Sequence, residues 1–228
     1  LSSFGESNPI YKIGLSSGGG IGFNYNLNKQ FIVSAGYFGG NSFLPTEGNG
    51  LFNGEYSALG QLTWKPNDNL QVAATYNHAY FRGAGSSIFG LGVGTEEDKN
   101  PFNGGTDSTD SYGLSASYKL SPKIAINAFG GYTKAEDNGD AEAEILYYGV
   151  GLALPDLGKE GNLGGIVVGA EPYVSSTKNL GSDVEDNVAL HIEGFYKYQF
   201  NENISVTPGV IWITEPLGGD SPEQDDGI

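Results

Sequence analysis

The sequence predicts an all-β protein, an antiparallel up-and-down transmembrane β-barrel of which about ten strands are present. Three observations carry that reading: apolar and polar residues alternate with period two, short turns alternate with long loops, and aromatics recur at strand ends. The clearest stretch is Asn187 to Thr214. There Val188, Leu190, Ile192, Gly194, Tyr196, Tyr198 and Phe200 share one face, opposite Ala189, His191, Glu193, Phe195, Lys197 and Gln199. After a turn at Phe200-Asn201-Glu202-Asn203, the residues Ile204, Val206, Pro208, Val210 and Trp212 return on the apolar side. Each arm has about eleven residues, the length a tilted strand needs to cross a hydrocarbon core, and Tyr and Trp lie where a membrane interface places them.

The rest of the chain repeats the pattern. After a Gly/Ser/Pro-bearing lead-in (Leu1 to Gly18), strands are predicted over Ile21–Leu27 and Phe31–Tyr37, joined at Asn28-Lys29. A Gly/Asn/Pro loop (Gly39 to Gly54) leads to Tyr56–Trp64, which turns at Lys65-Pro66-Asn67-Asp68 and returns as Leu70–Tyr80. The longest irregular piece, Arg82 to Thr109, is long enough to fold inward. A third hairpin pairs Tyr112–Leu120 with Ile124–Tyr132; an acidic loop (Lys134 to Glu144) precedes Ile145–Leu154 and Leu163–Tyr173; a second one crosses Ser175 to Asp186. Most acidic residues fall in the long segments, while Lys29, Lys65, Lys119, Lys123, Lys159 and Lys197 sit at or beside the short turns. A soluble sandwich has no reason to separate charge between its two ends.

Composition narrows the function classes. The net charge of −16 argues against nucleic acid as a partner, and the absence of Cys excludes a disulfide scaffold or a thiolate metal site. No run approaches the ~18 apolar residues of a membrane helix, which leaves a barrel open because its strands hide half their residues from lipid. Leu1 is not an initiator Met, so a mature or truncated piece is expected, and the whole of 1–228 reads as one barrel domain.

A barrel of this kind has no reaction to catalyse; its chemistry lies in a wet lumen whose lining selects by size and charge. Strand parity assigns to that lining Gln61, Gln71, Asn77, Asn127, Glu171, His191, Glu193 and Lys197, with Glu55 at a strand start. Parity sets His78 with Val72 and Tyr76, near a loop edge. Asp137-Asn-Gly-Asp140 with Glu142 and Glu144 has calcium-loop character but not the full spacing, and reads as a solvated acidic loop. No cofactor or metal is expected. The acidic mouth predicts cation enrichment.

Asn8-Pro-Ile-Tyr-Lys-Ile-Gly14 before a Gly-rich strand, and above all Asn203-Ile-Ser-Val-Thr-Pro-Gly-Val-Ile-Trp-Ile-Thr-Glu-Pro216, resemble the carbohydrate-selective OprB-type porins, in the cyanobacterial branch labelled iron-uptake porins. The resemblance spans nearly the whole chain. It implies a barrel of roughly sixteen strands, of which this is a C-terminal portion without the early strands and the final one. It implies passive diffusion of small hydrophilic solutes, sugars or inorganic ions such as iron, across the cell outer membrane. Outer-membrane lipid is then the surrounding partner, and a homotrimer the usual porin assembly. Two other readings are open on the residues alone: a ten-stranded surface protease using His78 or His191, and a soluble secreted β-sandwich for binding or adhesion.

Overall fold

The computed structural model describes residues 2–14, 18–82, 87–90, 92–94, 96–102, 104–180 and 188–214. They form one antiparallel sheet in which each strand pairs with its sequence neighbour. The strands are β1 (Gly18–Asn26), β2 (Phe31–Gly40), β3 (Tyr56–Trp64), β4 (Leu70–Tyr80), β5 (Ser108–Ser121) and β6 (Ile124–Glu136), then β7 (Glu142–Pro155), β8 (Leu163–Lys178), β9 (Leu190–Asn201), β10 (Ile204–Val206) and β11 (Gly209–Ile213). The last two share one register on β9, with Val206 opposite Tyr198 and Gly209 opposite Phe195. They are a single path interrupted at Pro208, which has no N–H to give the ladder; its carbonyl still accepts from Tyr196 N at 2.9 Å. The expected ten strands are therefore ten paths. Among the described residues β1 and β11 do not pair, and the sheet is not closed.

Three of the short turns use one device. Asn28, Asn67 and Asn201 each accept, through Oδ1, the backbone N–H groups two and three residues on, at 2.8–3.0 Å. A side-chain carbonyl mimicking a backbone turn explains why Asn recurs there. The expected acidic loop from Lys134 to Glu144 is a correction. β6 runs to Glu136 and β7 starts at Glu142, leaving only 137–141 as turn. Lys134 bridges Glu136 on its own strand (2.7 Å) and Glu142 across to β7 (3.3 Å), and Lys178 of β8 bridges Glu142 (3.1 Å), so residues whose polarity suggested loop pair in the ladder and add cross-strand ion pairs to it. Asp137 Oδ1 is occupied by the turn amides of Gly139 and Ala141. Among the described residues no group of three His, Cys, Asp or Glu is placed to hold a metal ion.

One face of the sheet is bare and apolar: Ile21, Phe23, Leu62, Leu114, Val150, Ile166, Phe200, Val206 and Val210 are all exposed. No second sheet or helix covers it among the described residues, and no helix there is long and apolar enough to cross a membrane. Near the long-loop end this face carries an aromatic row, with Tyr37 stacked on Tyr56 (centroids 5.7 Å apart) and Tyr76 tilted against Tyr112 (5.3 Å). The opposite face is polar and carries the only substantial core among the described residues. That core is made by two segments lying on the wall. One is a strap, residues 2–14, with a helical turn α1 (Ser3–Glu6) and a 3-10 turn (Pro9–Lys12). The other is the long 81–107 connection, including α2 (Glu96–Lys99). Ile10, Ile13, Phe81, Ile88, Phe89 and Phe102 pack there against Ala79, Ala135, Ala143, Ile145 and Tyr147 of the wall. Burying each large apolar side chain stabilises by about 1.5–3 kcal/mol. The described parts of the long connection thus lie folded against this face.

Glycine makes room for these wall aromatics. Tyr147 pairs with Gly131 and Phe129 with Gly149 across strands, and a Cβ on either glycine would sit 2.2 or 2.6 Å from the facing ring.

Candidate functional site

The strap is fastened at three points across the wall. At β9, Glu193 accepts from Ser2 N (3.0 and 3.1 Å) and from Ser2 Oγ (2.6 Å). At β5 and β6, Asn8 Nδ2 donates to Ser115 Oγ (3.1 Å), Leu114 O (3.3 Å) and Gly130 O (3.4 Å). At β3 and β4, Tyr11 OH donates to Gln61 Oε1 (2.6 Å) and lies 3.4 Å from Thr75 Oγ1. The strap thus crosses the polar face of the sheet from β9 to β3, and that is the face on which the inward segments lie.

The long connection is fastened to the same wall. Glu171 Oε2 accepts from Gly94 N (2.7 Å), and Asp98 accepts from Val174 N (2.8 Å). Glu171 is aimed inward by a β-bulge: Tyr148 faces Ala170 but Leu146 faces Tyr173, so Glu171 and Pro172 together oppose one residue of β7. His191 joins the two fastenings, with Nδ1 2.7 Å from Glu171 Oε1 and Nε2 3.4 Å from Glu193 Oε2. Strap and connection also pair with each other, through an Ile13–Phe89 bridge and hydrogen bonds from Gly14 N to Ile88 O and Gly90 N to Lys12 O. Lys12 is buried, donating to the carbonyls of Ser3 and Ser7. Burial pushes its ammonium below the ordinary lysine value, against the opposing pull of Glu6 and Glu171.

Ser2, His191 and Glu171 stand in the order of a hydrolytic triad, with Ser2 Oγ 3.2 Å from His191 Nε2. The resemblance ends there. Ser2 Oγ gives its proton to Glu193 and accepts from Gly5 N, capping α1, and His191 is 1% exposed. This is a tether. The other histidine, His78, faces outward near the end of β4, 3.1 Å from Asp110, to which Tyr76 also donates.

The residues that strand parity assigns to a lining share the sheet face that carries the strap, and seven of the eight fall in two groups. Asn77, Glu171, His191 and Glu193 are buried beneath the inward segments. Gln61, Gln71 and Asn127 border an open groove of ≈ 200 Å³ beside the strap, together with Tyr11 and Phe129. Lys197 is half-buried near the short-turn end, and Glu55 accepts from Asn41 Nδ2 at 3.0 Å. Sequence reasoning missed Ser2, Asn8 and Tyr11. Their signal was a set of large apolar residues (Phe4, Ile10, Ile13) in a lead-in otherwise rich in Gly and Ser.

A one-sheet wall with a bare apolar exterior, a polar interior and inward-folded segments defines a porin-type membrane barrel wall. Comparison with known proteins agrees. The family model described as "Carbohydrate-selective porin, OprB family" matches residues 4–227, and the chain belongs to that family, one of non-enzymatic outer-membrane channels. It is 40% identical to the uncharacterized protein alr4550 of Nostoc sp. (strain PCC 7120), over 100% of this chain and 40% of that protein. It is 35% identical to the uncharacterized protein sll0772 of Synechocystis sp. (strain PCC 6803), over 93% of this chain and 41% of that protein. The chain thus spans about two-fifths of the length of these curated relatives. No solved structure matches it.

Proposed function

We propose that this chain forms part of the wall and the constriction of an outer-membrane porin through which small hydrophilic solutes diffuse passively, with sugars as the main class. The observation that carries the reading is the division of the sheet into a bare apolar face and a polar face bearing the strap. Charge on the lipid side of such a wall costs roughly 2–4 kcal/mol for Arg or Lys at mid-bilayer. Accordingly Gln61, Gln71, Asn127, Glu171, Glu193 and Lys197 are on the other side. We assign Gln61, Gln71, Asn127 and Lys197 to the passage, and Asn77, Glu171, His191 and Glu193 to the part of the lining that holds the inward segments. The lipid-facing apolar band suits residence in the outer membrane, and 1–228 acts as one portion of a longer barrel that assembles as a homotrimer. Inorganic ions, iron among them, are the second solute class, favoured by the acidic long connections. The test is reconstitution of the full-length protein in planar bilayers and in liposomes. Stepwise conductance with sugar-driven swelling is expected; a bilayer that stays electrically silent rejects the reading.

A further inference from the structure

The groove beside the strap differs in charge from the chain around it. The protein carries −16, yet none of the residues lining the groove bears a carboxylate or an ammonium. Its polar lining is amide and hydroxyl, and its two aromatics are Tyr11 on the strap and Phe129 on β6. Tyr11 is held from two directions. Its hydroxyl donates to Gln61 Oε1, which also accepts from Thr75 Oγ1 (2.9 Å), while Gln61 Nε2 donates to Thr63 Oγ1 (2.9 Å). Its chain neighbours Ile10 and Lys12 are buried and anchor the strap on either side of it. Phe129 is braced by Phe4, ring centroids 5.3 Å apart and edge to face. By contrast Gln71, Ser117 and Asn127 are exposed on the groove's opposite side. Gln71 and Ser117 also border a wider recess of ≈ 520 Å³ at the short-turn end, whose charged rim is Lys29, Lys65, Asp68 and Lys119.

We infer that the strap supplies one lip of the constriction, and that Tyr11 is the residue that sets its preference for uncharged polyhydroxyl solutes. The inference rests on the porin reading and adds the specificity-determining residue. The chemistry is direct. A pyranose presents hydroxyls at its rim and C–H groups on its faces. Amides and hydroxyls that both donate and accept can replace the rim's water, and an aromatic face can take the apolar side. An ion gains less, because no charged group in the groove lining offsets the loss of its hydration. A rigid Tyr11 opposite free Gln71, Ser117 and Asn127 leaves one side fixed and the other adaptable, so different sugars can pass with weak, reversible binding.

The test uses the full-length protein in planar bilayers, measuring potassium chloride current and its block by maltose. The wild type conducts, and maltose lowers its current in a concentration-dependent way. Tyr11→Ala raises the half-blocking maltose concentration roughly three- to tenfold. Tyr11→Phe, which keeps the ring, retains most of the block. Gln71→Glu, at an exposed position that does not bear on folding, shifts the permeability ratio toward potassium. An unchanged half-blocking concentration in Tyr11→Ala overturns the inference, as does an unchanged permeability ratio in Gln71→Glu, when the wild type conducts. A silent wild type refutes the porin reading itself and the inference with it. Should Tyr11→Ala fail to insert, the Tyr11→Phe and Gln71→Glu measurements decide.

Discussion

The two faces of β9 are made from the same alternating sequence and live in opposite surroundings. His191 and Glu193 are 1% and 2% exposed, whereas Leu190, Tyr198 and Phe200 on the other side are open. A water-soluble sheet would reverse this, hiding leucine and phenylalanine and hydrating the carboxylate. The inversion makes sense only where the medium outside is apolar and the interior is polar. The inner face then divides again along the strand axis. Its long-loop half is sealed by Ile10, Ile13, Phe89 and Phe102, while its short-turn half leaves Gln71, Ser117 and Asn127 open. On the proposed porin reading, wall residues are chosen by what lies beyond them: lipid, plug or passage.

The sharpest way to break the comparison at its sealed end is Phe4→Ala. Phe4 is 1% exposed, packed on Phe129 and His191, with ring centroids 5.3 and 4.9 Å away. Truncation should lower stability by about 3–5 kcal/mol, read as a fall in the unfolding midpoint in detergent. Next comes a matched pair on one strand, β5. Leu114→Arg on the outer face should cost roughly 2–4 kcal/mol of membrane-folded stability, while Ser117→Arg on the open inner face should cost little. Heat-modifiable migration on gels measures both, and equal losses would dissolve the distinction between faces. The smallest effect concerns Lys12. A lysine whose folded value lies below its unfolded one penalises folding at every pH under the folded value, and the penalty lifts as pH rises toward the ordinary value near 10.5. Lys12→Met should therefore flatten the stability gain of the wild type between neutral and alkaline pH, seen as a converging pair of denaturation curves.

Much of the wall was legible in the sequence because alternation with period two runs along most of each strand. Val206 and Val210 point out, Glu171 and His191 point in, and ten paths follow one another as the turns foretold. The single break in the last path is also physical and local, since Pro208 was visible as a residue unable to donate. What was not legible depends on tertiary partners. Lys134, Glu136, Glu142 and Lys178 look like loop residues until their neighbours are known; the ladder that sets Glu136 opposite Glu142 and Glu142 opposite Lys178 makes them strand, and exposed ion pairs add little to it. Residues 2–14 have no period at all, because a strap fastened by separate side chains at Ser2, Asn8 and Tyr11 needs none. Of the site, the wall half (Gln61, Gln71, Asn127) followed from parity, whereas the strap half could not.

The most direct measurement of the whole account is solvent accessibility at single cysteines, which this chain permits because it has none of its own. Spin labels placed at Leu114, Val150 and Phe200, and at Gln71, Ser117 and Asn127, would be compared in lipid bilayers. The account predicts that the first three collide with lipid-dissolved oxygen and the second three with a water-soluble nickel chelate. Nickel access at Leu114, Val150 and Phe200, or oxygen access at Gln71, Ser117 and Asn127, would contradict it.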